Sequence, residues 1–180
     1  MAQLKMRRPN LSDLPPIELP PGDLFRPGGP KDREGLRDLL AAATESDPGM
    51  APWTPERIDE EILANPKVFR TWVIEEEATG TVVATASCAR LTPDADEGYL
   101  HWVAVLPDRR GRRLGFWATL AVFYSFREAG LKAAILDTDD FRIPAIKTYL
   151  NLGCLPWLIS PEQESRWTDF RSSHPNIKVG

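Results

Sequence analysis

Residues 99–137 constrain the fold more than any other part of the chain. Residues 99–106 read as a strand that ends at Pro107-Asp108. A long helix follows over residues 112–129, with Leu114, Trp117, Ala118, Ala121, Val122 and Ser125 on one face. Gly130 supplies a stop signal, and residues 133–137 read as a short buried strand. A strand, a helix and a strand in this order join by a right-handed crossover, so the two strands must lie parallel in one sheet.

The flanking segments extend that sheet. Residues 68–75 and 81–91 read as hairpin strands around the turn Ala78-Thr79-Gly80. Residues 31–43 predict a helix, because Leu36, Leu39, Leu40 and Ala43 share one stripe and Pro30 suits the first turn. Thr54-Pro55 opens a second helix, with Trp53 placed to staple onto Ile58 and Pro66 ending it. Residues 143–152 form the last strong helix, between Pro144 and Gly153. A final strand over 155–159 and a short surface helix over 161–170 complete the pattern. Residues 1–30 carry Pro15, Pro16, Pro20, Pro21, Pro27 and Pro30 and predict an extended arm, in which 17–19 and 23–26 can pair as edge strands. One domain over residues 31–180 is expected, a mixed α/β sheet with helices on its faces.

A length of 180 residues suits one compact core. The net charge of −4 argues against a nucleic-acid partner. No apolar run is long enough to cross a bilayer, and the first residues lack the apolar core of a signal peptide, so a cytoplasmic protein with no membrane partner is expected. Cys88, Cys154, His101 and His174 show no metal-ligand spacing, so no metal site is expected, and both cysteines read as small buried hydrophobes.

The chemistry concentrates in Arg110-Gly111-Arg112-Arg113-Leu114-Gly115, between the strand and the long helix. Helix-start N–H groups lack intrahelical partners and carry the positive end of the dipole. Gly111 and Gly115 relax the backbone, and Arg109 adds to the charge. Two readings are open: a solvated basic cap, or a cradle for a polyphosphate.

The surrounding residues resemble the GNAT-type N-acetyltransferase superfamily. Ala104-Val105-Leu106-Pro107 is similar to its strand ending, and Arg110 and Gly115 match the ends of its Arg/Gln-x-x-Gly-x-Gly/Ala turn. Arg113 stands where that motif has its middle glycine. Further on, Ala145, Tyr149 and Gly153 match the strand–loop–helix motif Asn-x-x-Ala-x-x-x-Tyr-x-x-x-Gly-Phe, with Arg142 and Cys154 in the asparagine and phenylalanine positions. The resemblance covers residues 99–157.

It implies a GNAT-like mixed, mostly antiparallel sheet with a splayed central parallel pair and helices on both faces. It also implies acetyl-coenzyme A as cosubstrate and direct acetyl transfer to a primary amine of a small-molecule or peptide acceptor. Val103, Ala104 and Val105 would meet the pantetheine arm, the Val103 N–H steadying the oxyanion. Arg110, Gly111, Arg112, Arg113, Leu114, Gly115 and Phe116 would hold the pyrophosphate. Arg142 would contact a coenzyme A phosphate or the acceptor, or lie on the surface. Tyr149 would protonate or hydrogen-bond the leaving thiolate, or pack in the core.

The superfamily often keeps a carboxylate at the position of Tyr99. His101, placed by the period-two rule on the strand face of Val103, is the candidate base or a packing residue, with Asp139 and Asp140 as other candidates. Trp53, Trp72, Trp102 and Trp157 are candidate acceptor-lining aromatics. Glu75, Glu76 and Glu77 would attract a cationic amine or form a solvated hairpin end. A non-catalytic acyl-coenzyme A binding or sensor module is the alternative reading, and monomer and homodimer are both open.

Overall fold

A computed structural model describes residues 3–179. Its strands are β1 (Leu4–Arg8), β2 (Asp23–Pro27), β3 (Val68–Glu76), β4 (Thr81–Ala89), β5 (Glu97–Val105), β6 (Ala133–Thr138) and β7 (Leu155–Pro156). They form one sheet in the order β2-β3-β4-β5-β6-β1-β7. Its helices are α1 (Arg33–Thr44), α2 (Pro55–Ile58), α3 (Leu114–Glu128), α4 (Ile143–Asn151) and α5 (Pro161–Ser173). A π-helical turn, Asp59–Leu63, continues α2.

The crossover is present as expected. β5 and β6 are parallel, pairing Glu97 with Ala133, Gly98 with Ala134 and Tyr99 with Ile135. Past Tyr99 they separate while β5 stays paired with β4, so a slot opens between them. The other strand pairs are antiparallel, which gives the mixed sheet its mostly antiparallel character. Phe123 and Phe126 of α3 are fully buried in one core, while Leu36, Leu39, Leu40, Ile58 and Ile62 fill a second core with Trp53.

The first strand has no counterpart in the sequence expectations. Leu4 and Met6 of β1 are fully buried. Lys5 and Arg7 alternate with them and pair with Asp137 at 2.9 Å and Glu97 at 2.6 Å. Three of these five residues are basic, so an apolar alternation only two residues deep carries little strand signal. Residues 17–19 form no strand, whereas β2 pairs with β3 along the sheet edge.

Of the C-terminal expectations, one is corrected and one is extended. The strand over 155–159 shrinks to β7, which covers only Met6 and Arg7 of β1. The helix over 161–170 is present and runs on to Ser173, with its outer face exposed but one face held against the sheet: Trp167 is fully buried and Phe170 nearly so. The reason lies in β1, whose outer edge β7 leaves partly open. Gln163 Oε1 accepts the Lys5 N–H at 2.9 Å, and Gln163 Nε2 donates to the Gln3 carbonyl at 2.8 Å. The side-chain amide thus stands in for a neighbouring strand, satisfying backbone groups that are costly to bury unpaired.

Candidate active site at the splayed strands

The site begins with a fault in β5. Ser87 pairs with His101 but Thr85 pairs with Ala104, so β5 carries an extra residue opposite Ala86. Trp102 takes up the bulge with φ +43°, a left-handed backbone that is uncommon for an aromatic residue. Its surroundings over-determine it. The ring packs edge-on against Trp53 at 4.7 Å, and its Nε1 donates to the Glu61 carboxylate at 3.3 Å. Arg57 lies over the Trp53 ring at 3.9 Å, completing the support.

The bulge corrects one expectation directly. Period two would put His101 on the face of Val103, but the extra residue inverts the alternation. Leu100 joins the α3 core and Ala104 joins the α1–α2 core. His101 therefore turns towards the π-helical turn, where its Nε2 lies 2.9 Å from the Glu61 carbonyl. Val105 faces α3 instead, close enough that a Cβ on Gly115 would lie 3.3 Å from its Cγ2.

The basic turn follows. Gly111 has φ +83° and Arg113 has φ +60°, and α3 starts at Leu114. The Trp117 N–H donates to the Arg113 carbonyl at 3.1 Å, so the N–H groups of Leu114, Gly115 and Phe116 precede the helical ladder. The left-handed Arg113 explains why a glycine suits this position. The arginine sustains it by laying its guanidinium over Phe116 at 4.4 Å and Trp117 at 5.1 Å.

Replacing Arg113 with glycine should raise stability by about 1 kcal/mol, since a left-handed residue loses its Cβ penalty. The same change should weaken binding of a polyphosphate ligand and flatten its salt dependence, because a cation is lost. Melting curves paired with titrations at two salt concentrations check both signs.

The four arginines of the turn divide into two pairs. Arg109 binds Glu76 at 3.2 Å and Asp108 at 2.7 Å. Arg112 binds the fully buried carboxylate of Asp23 at 2.9 Å. Arg110 and Arg113 instead line a cavity of about 710 Å³ in the slot. That cavity also touches His101, Val103, Ala104, Val105, Gly111, Leu114, Gly115, Phe116, Arg142 and Tyr149. The side chain of Arg112 is not among its lining groups, because Asp23 draws it beneath the turn.

The remaining candidates sort by the same geometry. Trp102 lines the cavity and Trp53 supports it from behind. Trp72 donates to Ser125 at 2.8 Å, outside the lining, and Trp157 is also outside it. Asp139 lines the cavity, whereas Asp140 is taken by Arg166 at 2.6 Å. Glu75 pairs with Arg26, and Glu76 with Arg109. Asp47 and Asp137 line the cavity too, though nothing in their local sequence singles them out.

Protonation in the cavity follows from burial. Burial pushes the Tyr149 phenol far above its ordinary value and pushes Tyr99 up to about 12, with the nearby Asp137 carboxylate adding to the latter shift. Burial lowers the His101 pKa below 6.5, against the opposing hydrogen bond from the Glu61 carbonyl. A neutral imidazole donating its Nε2–H to that carbonyl leaves Nδ1 as the basic atom.

The model of the acetyltransferase (GNAT) family matches residues 34–154. A mycothiol acetyltransferase of Thermobispora bispora is 33% identical over 165 residues, covering 86% of this chain and 54% of that protein. The chain thus spans about half the length of the curated relatives it matches.

Among solved structures, a GCN5-related N-acetyltransferase from Sphaerobacter thermophilus aligns with a TM-score of 0.66 at 23% identity, covering 86% of this chain and 48% of that one. A GNAT family acetyltransferase from Brucella melitensis, in complex with acetyl-CoA, aligns at 0.60 and 21% identity, covering 77% and 89%. At these identities the solved structures establish the fold. Among the described residues, no helix is long and apolar enough to cross a membrane.

Proposed function

The chain belongs to the acetyltransferase (GNAT) family, and from that premise we propose that it transfers an acetyl group from acetyl-coenzyme A to a primary amine. One observation carries the reading. The splayed β5–β6 slot and the open start of α3 share a single cavity, with Arg110 and Arg113 on its wall. An elongated thioester with a polyphosphate end fits such a site. The polyphosphate meets free N–H groups and two cations, and the arm meets strand backbone that β6 no longer engages.

Each reacting group then has a place. Val103 lies at the bulge, where β4 offers no register partner, so its N–H is the donor for the oxyanion that forms as the amine attacks. His101 faces the α1–α2 side and is neutral at pH 7, so Nδ1 can take a proton from the incoming ammonium, directly or through a water. Burial keeps the Tyr149 phenol protonated, so its O–H can hydrogen-bond the departing thiolate and steady the charge that develops on sulfur. Arg142 and Asp139 border the same cavity from the connection between β6 and α4.

The curated relatives are named mycothiol acetyltransferases, so a mycothiol-related amine is the first acceptor to assay beside a panel of primary amines. A binding-only acyl-coenzyme A module is the second reading. It is favoured by Tyr99 standing where the superfamily often keeps a carboxylate.

Calorimetry with acetyl-coenzyme A should show saturable binding between about 1 μM and 1 mM, the usual span of KM values. No binding up to about 1 mM overturns both readings. Free-thiol release with amines separates them, because a binding-only module releases none. For the enzyme, kcat/KM should fall as pH drops through the His101 pKa, below 6.5, and His101→Gln should abolish that acid limb. Stability carries the same sign. A folded pKa below the unfolded value gives stability that is present above about 6.5 and is lost as pH falls towards the folded value.

A further inference from the structure

Asp47 sits in the segment between α1 and α2, which reads in sequence as a plain connection around Asp47-Pro48-Gly49. Its carboxylate is not a loose surface group. Arg142 Nη2 donates to Asp47 Oδ2 at 2.6 Å, and Arg142 Nε donates to Asp139 Oδ2 at 2.9 Å. The other oxygen of Asp139 accepts from Gln3 Nε2 at 3.2 Å. Asp47 keeps 14% of its side-chain exposure, Asp139 19% and Arg142 27%. All three border the cavity.

The end of α1, which leads into this segment, touches the basic turn. Arg110 of the basic turn reaches the Ala43 carbonyl, near the end of α1, at 3.4 Å. The chain therefore leaves the basic turn at Ala43 and is tied to the start of α4 at Asp47. Those two anchors flank the slot between β5 and β6. Within the segment the backbone bonds are local: the Asp47 N–H to Thr44, and the Met50 N–H to Asp47. The Asp47–Arg142 pair is thus the polar bond that ties the segment to α4. Two donors of one planar guanidinium are held by two carboxylates, which fixes the fork in place.

We propose that Asp47, acting through Arg142, is a positioning residue that closes the slot over the thioester arm and keeps water from it. The proposal rests on the reading that the slot takes acetyl-coenzyme A. Water is the competing nucleophile for a bound thioester, so closure favours transfer over hydrolysis. The amine enters from the side of His101 and Trp102, so closure leaves its approach open.

The test uses Asp47→Asn, Arg142→Gln and the double variant. Binding of acetyl-coenzyme A to the unaltered protein comes first, and its failure overturns the functional reading itself. Given binding, Asp47→Asn should raise the acetyl-coenzyme A off-rate by about three- to fivefold, the scale of a partly exposed charge pair. Hydrolysis relative to transfer should rise with it, while the melting temperature stays unchanged. Hydrogen exchange of residues 44–52 should slow on cofactor binding in the unaltered protein and not in Asp47→Asn. The double variant should be no worse than Arg142→Gln alone, because the two residues act as one unit. An unchanged off-rate and hydrolysis ratio in Asp47→Asn, or effects that add in the double variant, overturn the proposal.

Discussion

Tyr149→Phe is expected to slow acetyl transfer by about 100-fold while acetyl-coenzyme A affinity changes by less than about threefold. Phenylalanine keeps the ring that packs between α4 and the α3 core, so the change removes only the hydroxyl. Tyr149 borders the slot and is 7% exposed. Desolvation keeps the phenol protonated across the working pH range. A hydrogen-bond donor of that kind is idle while the thioester is intact. It becomes useful when sulfur acquires negative charge, so its removal falls on the rate and spares ground-state binding. Stopped-flow rates beside calorimetric affinities make the comparison. Equal losses in rate and affinity would make Tyr149 a packing residue. Tyr99→Phe is the control, because Tyr99 lines the same cavity and its hydroxyl lies beside Asp137.

Which features were legible in the chain follows from where their causes lie. The crossover, the hairpin and the first four helices rest on local periods and stop signals, and each appears where those signals place it. β1 rests on a partner far along the chain. Its lysine and arginine look like surface charge until Asp137 and Glu97 are set beside them. The buried face of α5 was hidden for a related reason, since Trp167 and Gln163 are directed at β1 rather than along a repeating stripe.

The site shows the same division. The basic turn and Tyr149 are motif residues and lie in one cavity. The orientation of His101 depends on a bulge that no glycine announces. It is imposed by Trp53, Glu61 and the π-helical turn packed against that face of β5. Arg112 was grouped with its neighbours by charge, and the buried carboxylate that draws it away comes from β2. Asp47 is a loop acid until Arg142 is folded against it.

Gly98→Ala is expected to destabilise the protein by about 2 kcal/mol, lowering Tm by about 4–8 °C. The cause is space alone, since Gly98 does not have a left-handed backbone. A Cβ there would lie 2.4 Å from Cγ and Cδ1 of Phe126 and 2.5 Å from its Cδ2. The ring has little freedom to retreat. It is fully buried, with Phe123 at 6.4 Å on one side and Phe69 at 6.2 Å on another. Relief must come from α3 lifting off the sheet or from β5 shifting away from it.

Either movement reaches the slot, because Gly98 and Tyr99 are the last β5 residues paired with β6 before the strands part, and α3 carries the basic turn. Acetyl-coenzyme A affinity should therefore fall together with stability, although Gly98 does not border the cavity. Phe126→Leu in the Gly98→Ala background should recover part of the loss, while Phe126→Leu alone destabilises by opening a void. That opposite sign separates a steric cause from a general weakening of the core. A Gly98→Ala protein that melts within about 1 °C of the unaltered chain would show that α3 and β5 absorb the methyl group freely, and the close contact would then set neither the strand spacing nor the width of the slot.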